Sequence, residues 1–265
     1  GEEGQSQGRR GAGPAVPRAP PMTRGRSLRP MFLLFVAAGA GVLLLSHIAP
    51  FPFVLDALAP APSRWSMPAA DTRTIYLTYD DGPNPTATPD LLDVLDREGA
   101  VATFFVLDRH LTAETAPLVE RMFRDGHAVA LHSHTRRLML LSPDELGRTL
   151  TAAADRIERL AGHRPCPAFR PHGGWRSGRM YEGLRRIDHT LIGWGWFLWD
   201  WDWFRARDPD RLVRRFAGRG SDGDIIVMHD GHHEDPRPDR RYAVDATAGL
   251  VPALREAGFA FGTVC

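Results

Sequence analysis

The chain has 265 residues, 43% of them hydrophobic, enough to bury one substantial core or two small ones, and a formal net charge of +1. Six arginines (Arg9, Arg10, Arg18, Arg24, Arg26, Arg29) face only Glu2 and Glu3 within residues 1–30, so the remainder is slightly acidic and has no electrostatic footprint for nucleic acid. All 33 basic residues are arginine, which excludes lysine chemistry such as a Schiff base or a Walker-type phosphate loop.

In chain order, residues 1–30 read as a disordered basic tail rich in Gly, Pro and Arg. The segment MFLLFVAAGAGVLLLSHIA, residues 31–49, reads as a transmembrane anchor: as a helix it reaches roughly 28 Å, and arginine before it predicts the N-terminus inside and the rest outside. A cleaved signal ending at Ala57, Leu58 and Ala59 is the competing expectation, and it too exports the rest of the chain. Residues 50–70, rich in Pro and Ala, read as a tether.

From Asp71 to Cys265 strand-like runs alternate with helical patterns. Strands are predicted at Thr74–Tyr79, Val101–Val106, His127–Leu131, Ala168–Arg170, Thr190–Ile192 continuing toward Trp199, Asp224–Met228 and Phe259–Val264. Thr88-Pro89 opens a helix that Gly99 closes, and Ser142 with Glu145 has capping-box spacing before a helix that stops at Gly162. A last helix is predicted from about Val244 to Ala257. Seven repeats of strand then helix imply a parallel sheet, either closed as a (β/α)7 barrel or open and doubly wound. In both, reactive groups gather at the carboxyl ends of the strands.

The polar candidates sit at those ends. Asp80 and Asp81 end the first strand in YLTYDDGPNP, and adjacent carboxylates are most easily tolerated where a cation or proton traffic uses their charge. In GHAVALHSHTRR, His132 stands where an apolar strand stops, with His134 two residues on and Arg136 four on, so a carboxylate with histidines points to a catalytic zinc. In FRPHGGW, Arg170 is placed to hold a carboxylate, and the glycines let backbone N–H groups face an oxyanion. GDIIVMHD ends on His229 and Asp230, an arrangement for a histidine acid oriented by a carboxylate. The tryptophan-rich GWGWFLWDWDWF supplies aromatic faces for sugar rings, with Asp202 and Trp203 expected nearest the site. Each motif also has an ordinary structural reading, as turn, loop surface or core. Cys166 and Cys265 leave open a single bridge if the domain is exported.

Together these runs resemble the polysaccharide deacetylase family with the NodB homology domain, carbohydrate esterase family 4, over roughly residues 72–265; TYDDGPNPTATPDLLDVLDREGAVATFFV carries the likeness most closely. The resemblance implies a distorted (β/α) barrel, a divalent ion such as zinc, and removal of N- or O-acetyl groups from a polysaccharide. It implies Asp80 as general base, Arg170 orienting it, His229 as general acid, Asp81 and His132 as metal ligands, and backbone near Gly173 as an oxyanion partner. Arg136 stands where the family's second metal histidine is expected, so the third ligand is taken as His134, with His172, His232 and His233 as alternatives. A metal-poor glycan-binding member of the same fold and a barrel phosphoesterase using Arg136 and Arg137 as anion clamps remain alternative functions. The expected partners are an acetylated polysaccharide and, through the N-terminal helix, a membrane, with the catalytic part extracytoplasmic.

Overall fold

The structure is a computed structural model that describes residues 29–47, 63–69, 71–195, 198–201 and 207–265. The chain divides into two compact units, residues 1–39 and 40–265. Helix α1, Arg29–His47, covers most of the expected anchor. Among the described residues, however, no helix is long and apolar enough to cross a membrane. The end of the expected anchor, residues 48 and 49, lies outside the described residues.

The second unit is built on parallel strands: β1 (Ser63–Arg64), β2 (Thr74–Asp80), β3 (Thr103–Val106), β4 (Ala128–His132), β5 (Ala168–Arg170), β6 (Thr190–Ile192), β7 (Ile225–His229) and β8 (Ala260–Phe261). Their order is β1-β6-β5-β4-β3-β2-β7, with β8 pairing β2, and every ladder is parallel. The sheet curls, but among the described residues no ladder joins its two ends. Bridges do so instead: Val227 N–H donates to Leu198 C=O at 2.8 Å, Gly195 N–H to Ile225 C=O at 2.8 Å and Met67 N–H to Gly223 C=O at 2.8 Å. The expected seven-unit barrel is thus a curled parallel sheet with loop-mediated closure.

The crossovers are helices α2 (Thr88–Arg97), α3 (Ala116–Arg124), α4 (Pro143–Ala161), α5 (Gly178–Arg186), α6 (Pro209–Ala217) and α7 (Arg241–Glu256). Helix α4 begins with the predicted capping box, Ser142 Oγ accepting from Glu145 N–H while Glu145 accepts from Ser142 N–H, and ends at Gly162 with φ 77°.

Strand alternation sorts the core into two layers. Ile75, Leu77, Tyr79, Phe104, Val106, Val129, Leu131, Phe169, Leu191, Ile226 and Met228 pack outward with the helices. Tyr76, Phe105, Ala130, Ala168, Ile192, Ile225 and Val227 pack inward. Because side chains alternate with period two, Thr78 and Asp80 share the inner face with Tyr76, His132 with Ala130, Arg170 with Ala168, and His229 with Val227. Apolar side chains fill the lower interior, and polar ones crown it at the carboxyl ends.

Candidate active site

The strand registers bring the crown together. Asp80 is the Cα partner of His229 across β2 and β7, and His132 is the partner of Arg170 across β4 and β5. Arg170, fully buried, donates from Nη1 to Asp80 Oδ1 at 2.6 Å and to Thr78 Oγ1 at 2.8 Å. Its remaining donors reach the carbonyls of Ile192 and Gly193, and its guanidinium lies 3.9 Å over the Phe105 ring. Burial pulls the guanidinium pKa down, and the Asp80 charge opposes that pull. Removing either partner would leave the other charge buried and alone.

Asp81 adopts a left-handed backbone, φ 71°, which an L residue rarely takes and which accompanies a side chain turned toward β4. Its Oδ1 is buried without a hydrogen-bond partner and lies 3.3 Å from His132 Nε2. His132 Nδ1–H donates to the Arg170 carbonyl at 2.7 Å, so in the neutral ring Nε2 carries a lone pair facing the carboxylate. Two lone pairs aimed at one point call for a cation or a proton between them.

His172 supplies the third donor: Asp81, His132 and His172 each offer a ligand atom, all within 4.8 Å of one another. His172 follows Pro171 after β5, and its N–H donates to Ser133 Oγ at 2.9 Å. Gly173 and Gly174, at φ 59° and 75°, then turn the chain away in a conformation suited to glycine. Burial and the neighbouring His132 push the His172 pKa down to about 4, so the ring is a neutral donor. Burial also pushes the Asp81 carboxyl up, but His132, His229 and His172 outweigh it and hold the group below the usual carboxylate range. A carboxylate with two imidazoles is a donor set that suits zinc or a similar ion.

His134 is exposed and lies outside this group, as does Arg136. The i, i+2 relation proposed for His134 requires an extended segment, but β4 stops at His132 and the chain enters a 3-10 turn from Arg136. The third donor comes from a different loop.

His229 is oriented by Asp200, not by the adjacent Asp230. Its Nδ1–H donates to Asp200 Oδ1 at 2.7 Å, while its backbone N–H and the Tyr242 hydroxyl donate to Asp200 Oδ2 at 2.9 and 2.7 Å. Burial alone would lower the His229 pKa, but Asp200, with Asp81 and Asp80, raises it to about 9. Asp230 turns away, accepts from Thr88 Oγ1 at 2.5 Å, and is pushed by burial up to about 7. Trp201 stands edge-on to His229, 5.6 Å between ring centroids, and Trp194 is buried beneath it. Asp202 and Trp203 lie outside the described residues. Asp200, Tyr242 and Trp201 were not singled out from sequence; the acid embedded in FLWDWDW was the available signal.

Asp80, Asp81, His132, His172, Asp200, His229, Trp194, Trp201 and Tyr242 line one cavity of about 430 Å³, with Gly173, Arg136, Arg207, Arg240, His232 and His233 at its sides. It combines a buried carboxylate paired to an arginine, a histidine paired to a carboxylate, and a three-donor cluster.

Residues 68–192 match the family model described as Polysaccharide deacetylase. A chitooligosaccharide deacetylase of Bradyrhizobium sp. is 34% identical over 200 residues, covering 71% of this chain and 87% of the relative. The chain belongs to the polysaccharide deacetylase family. Among solved structures, the Bc1960 peptidoglycan N-acetylglucosamine deacetylase superposes with a TM-score of 0.65 at 26% identity, covering 81% of this chain and 94% of that one. A family 4 acetyl xylan esterase from Clostridium thermocellum, in complex with a cobalt ion, superposes with a TM-score of 0.63 at 27% identity, covering 72% and 88%. As a polysaccharide deacetylase, the protein is a hydrolase of carbon–nitrogen bonds other than peptide bonds.

Proposed function

We propose that this deacetylase removes N-acetyl groups from a cell-envelope or extracellular glycan, using a divalent ion, zinc by its donor chemistry, held by Asp81, His132 and His172. The observation that carries the reading is the orphaned Asp81 oxygen facing the His132 lone pair inside the cavity that also contains Asp80 and His229. The ion, when bound, supplies Lewis acidity toward the acetyl oxygen and a neighbouring water.

The chain's own residues handle the protons. Asp80, held by Arg170, accepts one from the attacking water. His229, kept cationic by Asp200 to about pH 9, gives one to the departing amine nitrogen. Backbone at Gly173 flanks the acyl oxygen, and Trp201, half-buried at the wall, offers a flat face to a sugar ring. The Cys166–Cys265 disulfide supports an oxidising, extracytoplasmic location.

Acetate release from N-acetylglucosamine oligomers tests the proposal. The wild type should release it, and Asp80→Asn should lower the rate by a factor of about 100 to 10,000. Acetate release untouched by Asp80→Asn, or phosphate release from phosphoesters in its place, would overturn it.

A further inference from the structure

We infer that the glycan this deacetylase acts on carries an oxyanion, a carboxylate or a phosphate, near the acetylated sugar, and that Arg136 and Arg207 receive it. The inference rests on the deacetylase reading and names the substrate class of the same cavity.

Several surface arginines elsewhere in this chain are neutralised by acids. Arg121 pairs with Asp93 and Asp125, Arg164 with Asp155 and Glu158, Arg237 with Glu114, and Arg241 with Asp90 and Asp245. Arg136 and Arg207 are not so paired, and unlike the other unpaired surface arginines they stand at the cavity. Both are exposed, both line the catalytic cavity, and among the described residues neither has an acidic partner or a side-chain hydrogen bond.

Each is shelved on an aromatic ring: the Arg136 guanidinium carbon lies 5.2 Å from the Trp175 centroid and that of Arg207 lies 4.8 Å from the Tyr242 centroid. A guanidinium stacked on a ring keeps its N–H edges free and loses little freedom on binding, the state suited to a two-pronged hold on carboxylate or phosphate.

The acids on the cavity floor do not cancel this charge. Asp80 is tied to Arg170, Asp200 to His229 and Tyr242, and Asp81 faces His132. Arg240 adds positive potential from within, where it donates to the Gly231 carbonyl and the Tyr242 hydroxyl. Arg136 also stands where the family resemblance expects a metal-binding histidine. The change exchanges a ligand for an anion receptor, while His172 supplies the missing donor.

The test compares three acetylated oligosaccharides of equal length: neutral N-acetylglucosamine oligomers, oligomers alternating N-acetylglucosamine with glucuronic acid, and N-acetylglucosamine oligomers bearing a phosphate. Both kcat/KM for acetate release and affinity by titration calorimetry are measured. A charged oligomer should be favoured about ten-fold over the neutral one, as for a charge-assisted contact, and the advantage should shrink as salt rises. Which charged oligomer gains most distinguishes carboxylate from phosphate. In Arg136→Gln and Arg207→Gln the charged-to-neutral ratio should fall toward one, with partial recovery in Arg136→Lys. Equal or better handling of the neutral oligomer, in rate and in binding, overturns the inference alone. A binding preference for charge without acetate release from any oligomer upholds it and overturns the deacetylase reading.

Discussion

At the scale of single residues, two carboxylates do opposite work because their neighbours differ. Asp80 is locked to a buried guanidinium, while Asp200 spends its charge on His229 and the Tyr242 hydroxyl. The second arrangement sets a pH limit. A histidine whose folded pKa is raised is fully protonated below the ordinary histidine value and loses its proton as pH rises through the folded value, here about 9. As general acid, His229 should therefore give kcat/KM an alkaline limb near pH 9, and the stability it lends should fade through the same interval. Asp200→Asn removes the anion that raises it, so the limb should move toward neutral pH. An unmoved limb in the pH–rate profile would separate Asp200 from the proton donor. Asp200 itself was hidden in the sequence: it sits among tryptophans, while the adjacent Asp230 offered a nearer partner that the strand geometry turns elsewhere.

At the scale of elements, the site was legible wherever a strand delivered it. Asp80, His132, Arg170 and His229 each interrupt an apolar run at its carboxyl end, and period-two alternation puts all four on the inner face. His172 was only one option among several, because its approach to Asp81 and His132 depends on how a loop folds over a neighbouring strand end, which spacing along the chain does not encode. The two-residue strand β1 was missed for a related reason, being too short for any periodicity to show. The loops that carry Asp81 and Asp230 also interlock closely. A Cβ on Gly231 would lie 1.9 Å from the Asp81 carbonyl oxygen, a backbone atom that cannot swing aside. Gly231→Ala should therefore displace the Asp81 loop and cost about 2 to 4 kcal/mol in denaturant unfolding, with loss of bound metal. Wild-type stability and metal content in that variant would contradict the interlock.

At the scale of the whole molecule, the parallel sheet is held at its ends by scattered bridges, and a covalent tie reinforces it. Cys265, the last residue, is joined to Cys166 just before β5, across a sequence separation of 99. Closing so long a loop restricts the unfolded chain, so reduction or Cys166→Ser should lower stability by about 2 to 4 kcal/mol. Thermal unfolding with and without reductant checks this, and an unchanged midpoint would show that the tie adds nothing. The sequence left this pairing open, because spacing alone does not bring the chain terminus to β5.

The most direct test of the account is the metal content of three purified proteins: the wild type, His172→Ala and His134→Ala, each equilibrated with zinc and then freed of excess. One tightly held ion per chain in the wild type and in His134→Ala, with none in His172→Ala, is the predicted result. An ion that survives His172→Ala but is lost with His134→Ala, or a wild type that holds none, would contradict it.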